Sequence, residues 1–332
     1  MRRIRGSSPA RPSRVVLHVG APLVGTTYLR DVLTRNRRRL TRYGVLYPSS
    51  HVGAAGHRDA VLDVLDRAAP GVGANSGAWE RLAQAARDWR RGTVVVSHEL
   101  LADADEDQVH RIVSAFGDVE VHVVHVARDL ARQLPLAWQE WVRNGGTATF
   151  DAYVDKVARR DGHRLARVFW RSHDVADVLA RWADAVPAER VHVVTSPAGP
   201  DEDAVLWQRF AEVLEVDAAR FRAPVAPGRR LDALAATEAL RLLNVAGARR
   251  LPHDLLARVT GPAPALPARH AGWLEEEAER AVSAVKRGGY CVLGDVTELR
   301  PDVGALTDDA ARSSPPPEAV VAARTEILAA LL

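Results

Sequence analysis

The stretch from Val15 to Arg30 constrains the fold of this 332-residue chain more than any other. It opens with Val15-Val16-Leu17-His18-Val19, a mainly β-branched run without regular polar alternation, the pattern of a buried strand. Gly20-Ala21-Pro22-Leu23-Val24-Gly25 follows as a glycine-bounded turn, and Thr26-Thr27-Tyr28-Leu29-Arg30 begins an amphipathic helix. A strand that turns directly into a helix aims the first helical N–H groups, and the positive end of the dipole, at the turn. That layout cradles a phosphate. The spacing Gly20-x4-Gly25-Thr26-Thr27 is close to the P-loop pattern but lacks the lysine after the second glycine, so its chemistry differs from that of an ordinary ATPase.

The rest of the chain alternates in the same way. Residues 93–97, 120–127 and 191–195 read as further buried strands, and 44–48 as a short extended piece. Helical periodicity covers 26–40, 58–67, 77–90, 105–115, 130–142 and 175–185, then 203–214, 231–249 and 274–287. In the first of these, Leu29, Val32, Leu33 and Leu40 share one side, while Arg35, Arg37, Arg38 and Arg39 are mostly solvated. The predicted fold class is α/β: a P-loop-like parallel sheet flanked by helices, with a largely helical C-terminal half and sites at the carboxyl ends of the strands. The expected organisation is a flexible basic arm over 1–13, an α/β domain over 14–300 and a tail over 301–332. Within the tail, Ser313-Ser314-Pro315-Pro316-Pro317 reads as a linker before a helix. A glycine-rich loop is expected over 51–56 and a rigid connection over 261–267.

Bulk properties narrow the functional classes. A net charge of +3 gives no argument for nucleic-acid binding. Nearly all basic residues are arginine, with only Lys156 and Lys286 as lysines, which accounts for Lys→Arg at a site but not for Leu23. The lone cysteine, Cys291, excludes an intramolecular disulfide and fits a reducing cytosol. No apolar run approaches the ~18 residues of a membrane span, and no apolar segment follows the basic N-terminal stretch. A cytoplasmic protein without a membrane span is expected.

Four motifs follow one another in a telling order: the loop, Val96-Ser97-His98-Glu99, the run from Val126-Ala127-Arg128-Asp129 to Gln139, and Gly289-Tyr290-Cys291-Val292-Leu293-Gly294-Asp295. Together they resemble bacterial sulfotransferase-family proteins, which use 3′-phosphoadenosine 5′-phosphosulfate (PAPS); the resemblance runs from about Arg14 to about Pro301. It implies that Pro22, Gly25, Thr26, Thr27 and Tyr28 hold the phosphosulfate and that Arg128 holds the 3′-phosphate, for which a planar guanidinium fork is suited. Two positions depart from the family pattern. Leu23 and Val24 stand where a lysine and a hydroxyl residue are usual, and Leu136 takes the place of a serine on the 3′-phosphate. Loss of the lysine removes about 2.7–4 kcal/mol of transition-state stabilisation, and loss of the serine roughly 1.5–3 kcal/mol of binding. Arg14, Arg30 and Arg132 are the cations near enough in sequence to the site elements to substitute for the lysine.

Glu99 lies just past an apolar strand, where partial burial raises a carboxyl pKa and suits it to accept a hydroxyl proton; His98 is the adjacent alternative. Equally, Glu99 caps a helix beside a surface histidine. Arg128 alternatively pairs with Asp129 or another acidic neighbour. His57 is a candidate for acceptor contact, and Trp138, one turn from Trp141, for an acceptor groove; solvation and core packing are their ordinary fates. His122 and His125 fall on opposite faces of one strand and cannot share a metal, and no metal site is expected. Three readings follow: transfer of a sulfo group from PAPS to a hydroxyl of a small molecule, glycan or lipid head group; a homologue without catalysis that binds or regulates; and an enzyme with a different nucleotide donor.

Overall fold

The computed structural model describes residues 13–48, 57–67, 76–89, 92–223, 233–247, 264–307 and 315–329. The loop expected over 51–56 and the arm up to residue 12 lie outside these, as do 261–263 and 308–314 of the expected connection and tail. The chain forms two compact units. Unit 1 comprises Met1–Arg128, Arg171–Pro224 and Ala281–Glu298; unit 2 comprises Asp129–Trp170, Val225–Arg280 and Leu299–Leu332.

Among the described residues, unit 1 is built on six strands: β1 (Arg14–His18), β2 (Val45–Leu46), β3 (Thr93–Ser97), β4 (Glu120–Ala127), β5 (Val191–Thr195) and β6 (Cys291–Leu293). All neighbours pair in parallel, in the order β2-β3-β1-β4-β5-β6. The apolar runs explain this: Val15, Val16 and Leu17, Val94 to Val96, and Val123, Val124 and Val126 are essentially inaccessible, as a parallel sheet covered on both faces requires. The order reverses at β1, so the loop that follows it lies at the point where such sheets bind ligands.

The helices among the described residues are α1 (Thr26–Arg35), α2 (Arg37–Arg42), α3 (His57–Val64), α4 (Ala78–Asp88), α5 (Glu106–Ser114), α6 (Leu130–Arg143), α7 (Phe150–Arg159), α8 (Arg164–His173), α9 (Val175–Ala185), α10 (Glu202–Val213), α11 (Ala233–Val245), α12 (Ala271–Arg287) and α13 (Pro317–Ala329). In unit 1, Leu29, Val32 and Leu33 of α1 join Leu206, Trp207 and Phe210 of α10 over Val16, Val124, Val126 and Val194 of the sheet. α9 packs on β4 and β5 and against α5.

The single helix expected over 26–40 is divided at Asn36. This buried side chain donates from Nδ2 to Val32 O (2.8 Å) and to Arg222 O (2.9 Å), and its Oδ1 accepts from Arg222 N (3.0 Å). The side chain thereby ties the C-terminus of α1 to the segment beyond α10. α7, α8 and the short strand β6 are further elements that the periodicity reading did not assign.

In unit 2, Trp138 of α6 packs its ring against Phe150 of α7 and donates from Nε1 to Ala148 O at 3.1 Å. Ala235, Ala236 and Ala239 of α11 meet Val320, Ala323 and Ile327 of α13 across a small-residue seam.

Candidate functional site

The loop after β1 continues along β4 beyond the strand proper: Val19 N donates to Val124 O (2.9 Å), Ala21 N to Val126 O (2.8 Å), and Val126 N to Gly20 O (2.6 Å). Pro22 then turns the chain away. Val24, fully buried, enters the core with Leu29 and Leu206, which accounts for an apolar residue at that position. Gly25 adopts φ +64°, and a Cβ there would stand 2.0 Å from Leu206 Cδ2 of α10, so both the backbone and the packing demand glycine.

α1 begins without a side-chain cap and without an acidic residue in its first turn. The contrast with α5, α6, α7 and α9 is clear, since these are capped by Asp105, Asp129, Thr149 and Asp174. The first intrahelical bond is Leu29 N to Gly25 O at 2.9 Å. The amides of Thr26, Thr27 and Tyr28 therefore have no carbonyl one turn back to bind, and they face the loop with the helix dipole behind them. Leu23 and Tyr28 are half-buried, Thr26 buried and Thr27 exposed.

Beside this loop, the carboxyl end of β3 forms a corner rich in histidine. His98 N donates to His18 O at 3.1 Å, extending the β1–β3 pairing by one residue. His18 and Ser97 are register partners, and their Nδ1 and Oγ are 2.7 Å apart. Ser97 N donates to His57 Nδ1 (3.1 Å), which places the His57 proton on Nε2, facing Pro48 O at 3.3 Å. His57 thus lies at the start of α3, buried, with both ring nitrogens engaged by backbone; its surroundings are those of a structural link and not of the loop site expected from sequence. Burial pushes His18 and His57 down to about 4, and Tyr47, edge-on to His57, up to about 12.

His98 is buried and its Nδ1 accepts from Leu100 N at 3.2 Å; burial holds its pKa below the usual value. It is therefore neutral with its proton on Nε2, and the 3.8 Å separation from Glu99 Oε2 is not an ion pair at neutral pH. Glu99 opens a 3-10 turn (Glu99–Asp103), with its side chain 32% exposed. Of the two base candidates, Glu99 has the acceptor oxygens and the access.

The three arginines fare differently. Arg14 is at the opposite end of β1 from the loop, donating to Val213 O (2.8 Å) and paired with Glu215 (2.9 Å). Arg132, in unit 2, pairs with Asp129, the cap of α6. Arg30, exposed one turn into α1, acts electrostatically on His98 and Tyr47, as Arg58 does on His98 and Arg37 on Tyr47; of the three it is the one near the Glu99 corner.

Arg128 follows β4 and is only 9% exposed; its guanidinium pairs with Glu202, in the first turn of α10. Ser196 Oγ, beyond β5, donates to the same carboxylate oxygen at 2.5 Å. Asp203 adjoins, its carboxyl pushed up by burial and by Glu202, and it raises the Tyr28 hydroxyl in addition to the effect of burial. Nothing in the sequence pattern marks Glu202 or Ser196, which stand 74 and 68 residues past Arg128. Pro22, Gly25, Thr26, Thr27, Tyr28, Arg128, His57, His98 and Glu99 all belong to unit 1, whereas Leu136 and Trp138 belong to α6 of unit 2. Leu136 is half-buried; Trp138 is 1% exposed and lines a cavity of about 370 Å³ with Phe150, Leu234, Leu242 and Val320.

Away from the loop, His122 Nδ1 and His192 Nε2 are 2.9 Å apart, and His122 Nε2 meets Glu120 Oε1 at 2.6 Å. Among the described residues no three His, Cys, Asp or Glu side chains stand together as a metal site, and no helix is long and apolar enough to cross a membrane.

No protein-family model and no curated protein matches the chain. Among solved structures it is similar to a sulfotransferase from Alicyclobacillus acidocaldarius, with 18% identity over 72% of this chain and 97% of that one, and a TM-score of 0.42.

Proposed function

We propose that unit 1 is a sulfotransferase-like site, moving a sulfo group from a nucleoside phosphosulfate of the PAPS class to an acceptor hydroxyl. The observation that carries this reading is the adjacency of an uncapped α1 N-terminus, after β1, and an accessible carboxylate, Glu99, after the neighbouring β3. The amides of Thr26, Thr27 and Tyr28 suit the phosphosulfate. The acceptor oxygen attacks sulfur, the bond from sulfur to the bridging oxygen breaks with its electron pair going to the nucleotide phosphate, and the hydroxyl proton goes to Glu99. Charge growing on the leaving phosphate meets the helix dipole, with Arg30 of the same helix a cation on the side of the Glu99 corner, where Leu23 supplies none. The acceptor belongs to the small-molecule, glycan or lipid-head-group hydroxyls.

The test is transfer from labelled phosphosulfate to a panel of hydroxyl acceptors, with calorimetric titration of product nucleotide alongside. Glu99→Gln is expected to lower turnover by about 10²–10⁴ at unchanged nucleotide affinity. Full activity in that variant would remove Glu99 as base, and no nucleotide binding at millimolar concentration would remove the reading altogether. Leu23 and the Arg128–Glu202 pair favour a second reading, a nucleotide-binding protein without turnover. Binding with no transfer to any acceptor would select it.

A further inference from the structure

The fit of unit 1 to a PAPS-class nucleotide is uneven. The loop suits the 5′-phosphate end, but Arg128 is already held by a carboxylate. Three contacts bring this pair to the loop: Ala21 N donates to Val126 O (2.8 Å), two residues before Arg128; Ser196 N donates to Ala127 O (2.8 Å); and Leu206 of α10 packs on Gly25. Glu202 takes both the guanidinium and the Ser196 hydroxyl, with Asp203 next to it.

A guanidinium at a nucleotide site selects a ribose phosphate, whereas a carboxylate accepts hydrogen bonds from ribose hydroxyls and repels a phosphate. Here the two are joined and their charges cancel. A 3′-phosphate would have to displace Glu202 from Arg128 and leave that carboxylate, with Asp203, beside a dianion. A ribose with free hydroxyls needs no such displacement, because it donates to the carboxylate where it stands.

We propose that Glu202 sets the nucleotide class of this site, selecting a nucleoside 5′-phosphate with free 2′- and 3′-hydroxyls over one phosphorylated at the 3′ position. This inference rests on the sulfotransferase-like reading and replaces its PAPS-class donor with a nucleoside phosphosulfate that lacks the 3′-phosphate.

The experiment is calorimetric titration of the full chain with adenosine 5′-monophosphate and with adenosine 3′,5′-bisphosphate, in the wild type and in Glu202→Gln, which keeps the shape and removes the charge. The wild type is expected to bind the monophosphate at least as tightly as the bisphosphate. Glu202→Gln is expected to shift the ratio of the two affinities at least tenfold toward the bisphosphate. A wild type that binds the bisphosphate more tightly overturns the inference and leaves the nucleotide site standing, as does a folded variant with an unchanged ratio. If neither nucleotide binds, the sulfotransferase-like reading itself fails and takes the inference with it. Should the variant not fold, the wild-type ratio decides alone.

Discussion

Gly25 offers the sharpest test of how the loop is built. Adding one methyl group, Gly25→Ala, imposes two penalties. An L-residue at φ +64° costs about 1–2 kcal/mol, and a Cβ 2.0 Å from Leu206 Cδ2 forces a repacking worth about 1–3 kcal/mol in a fully buried cluster. The expected loss is therefore roughly 2–5 kcal/mol, large beside the whole stability of a domain. Leu206→Ala alone should lose about 2–5 kcal/mol through its cavity. In the double variant the new methyl group enters the space vacated by leucine, so only the backbone penalty adds to the cavity. The two losses should fall short of additivity by about 1–3 kcal/mol. Urea titration followed by tryptophan fluorescence measures all three variants, with Trp207 adjoining the altered position and 6% exposed. Losses that add to within about 0.5 kcal/mol would refute the packing argument and leave only the backbone requirement for glycine.

The remaining predictions concern buried polar groups. Stability should fall as the solution is acidified from pH 6.5 toward 4, because burial holds His18, His57 and His192 at about 4 and His125 at about 3. Above 6.5 these residues are neutral in both states; below it the unfolded chain binds protons that the folded chain refuses, at about 1.4 kcal/mol per pH unit for each histidine. A denaturation midpoint that stays flat over this range would contradict the burial. His125→Phe should stabilise unit 1 by about 1–2 kcal/mol, since both ring nitrogens of His125 are buried without a hydrogen-bond partner; a lower melting temperature would show that solvent or a rotamer supplies one. Asn36→Ala removes three hydrogen bonds at a buried site and should lose about 1–3 kcal/mol, read from the same urea titrations.

The parallel sheet was legible because its strands are mainly β-branched runs, a pattern that only a sheet buried on both faces explains. Strand β6 was not, since Cys291-Val292-Leu293 is too short to show a period. α7 does carry a local signal: Phe150, Tyr153, Val154 and Val157 recur at helical spacing behind the Thr149 cap. The break at Asn36 was hidden because its cause is a hydrogen bond to Arg222, 186 residues away. The site divides along the same line. The positions of the loop after β1 and of Glu99 after β3 are set locally and could be read in the sequence; the partners of Arg128 and His18 are Glu202 and Ser97, 74 and 79 residues distant, and no spacing rule links them. The loop expected around His57 is instead the start of α3, because the ring is fixed by a backbone amide 40 residues away, at Ser97.

The central position of β1 has a consequence for synthesis. Both of its partners are made later, and Val15 waits for Val94, 79 residues on, before the first neighbour exists. At about 5–20 residues per second that is roughly 4–16 s. For this interval Val15, Val16 and Leu17, all fully buried in the finished fold, have no native partner strand to pair with. Nascent chains of this protein should therefore depend on early hydrophobic shielding, by the first helices or by a chaperone, more than their final burial implies.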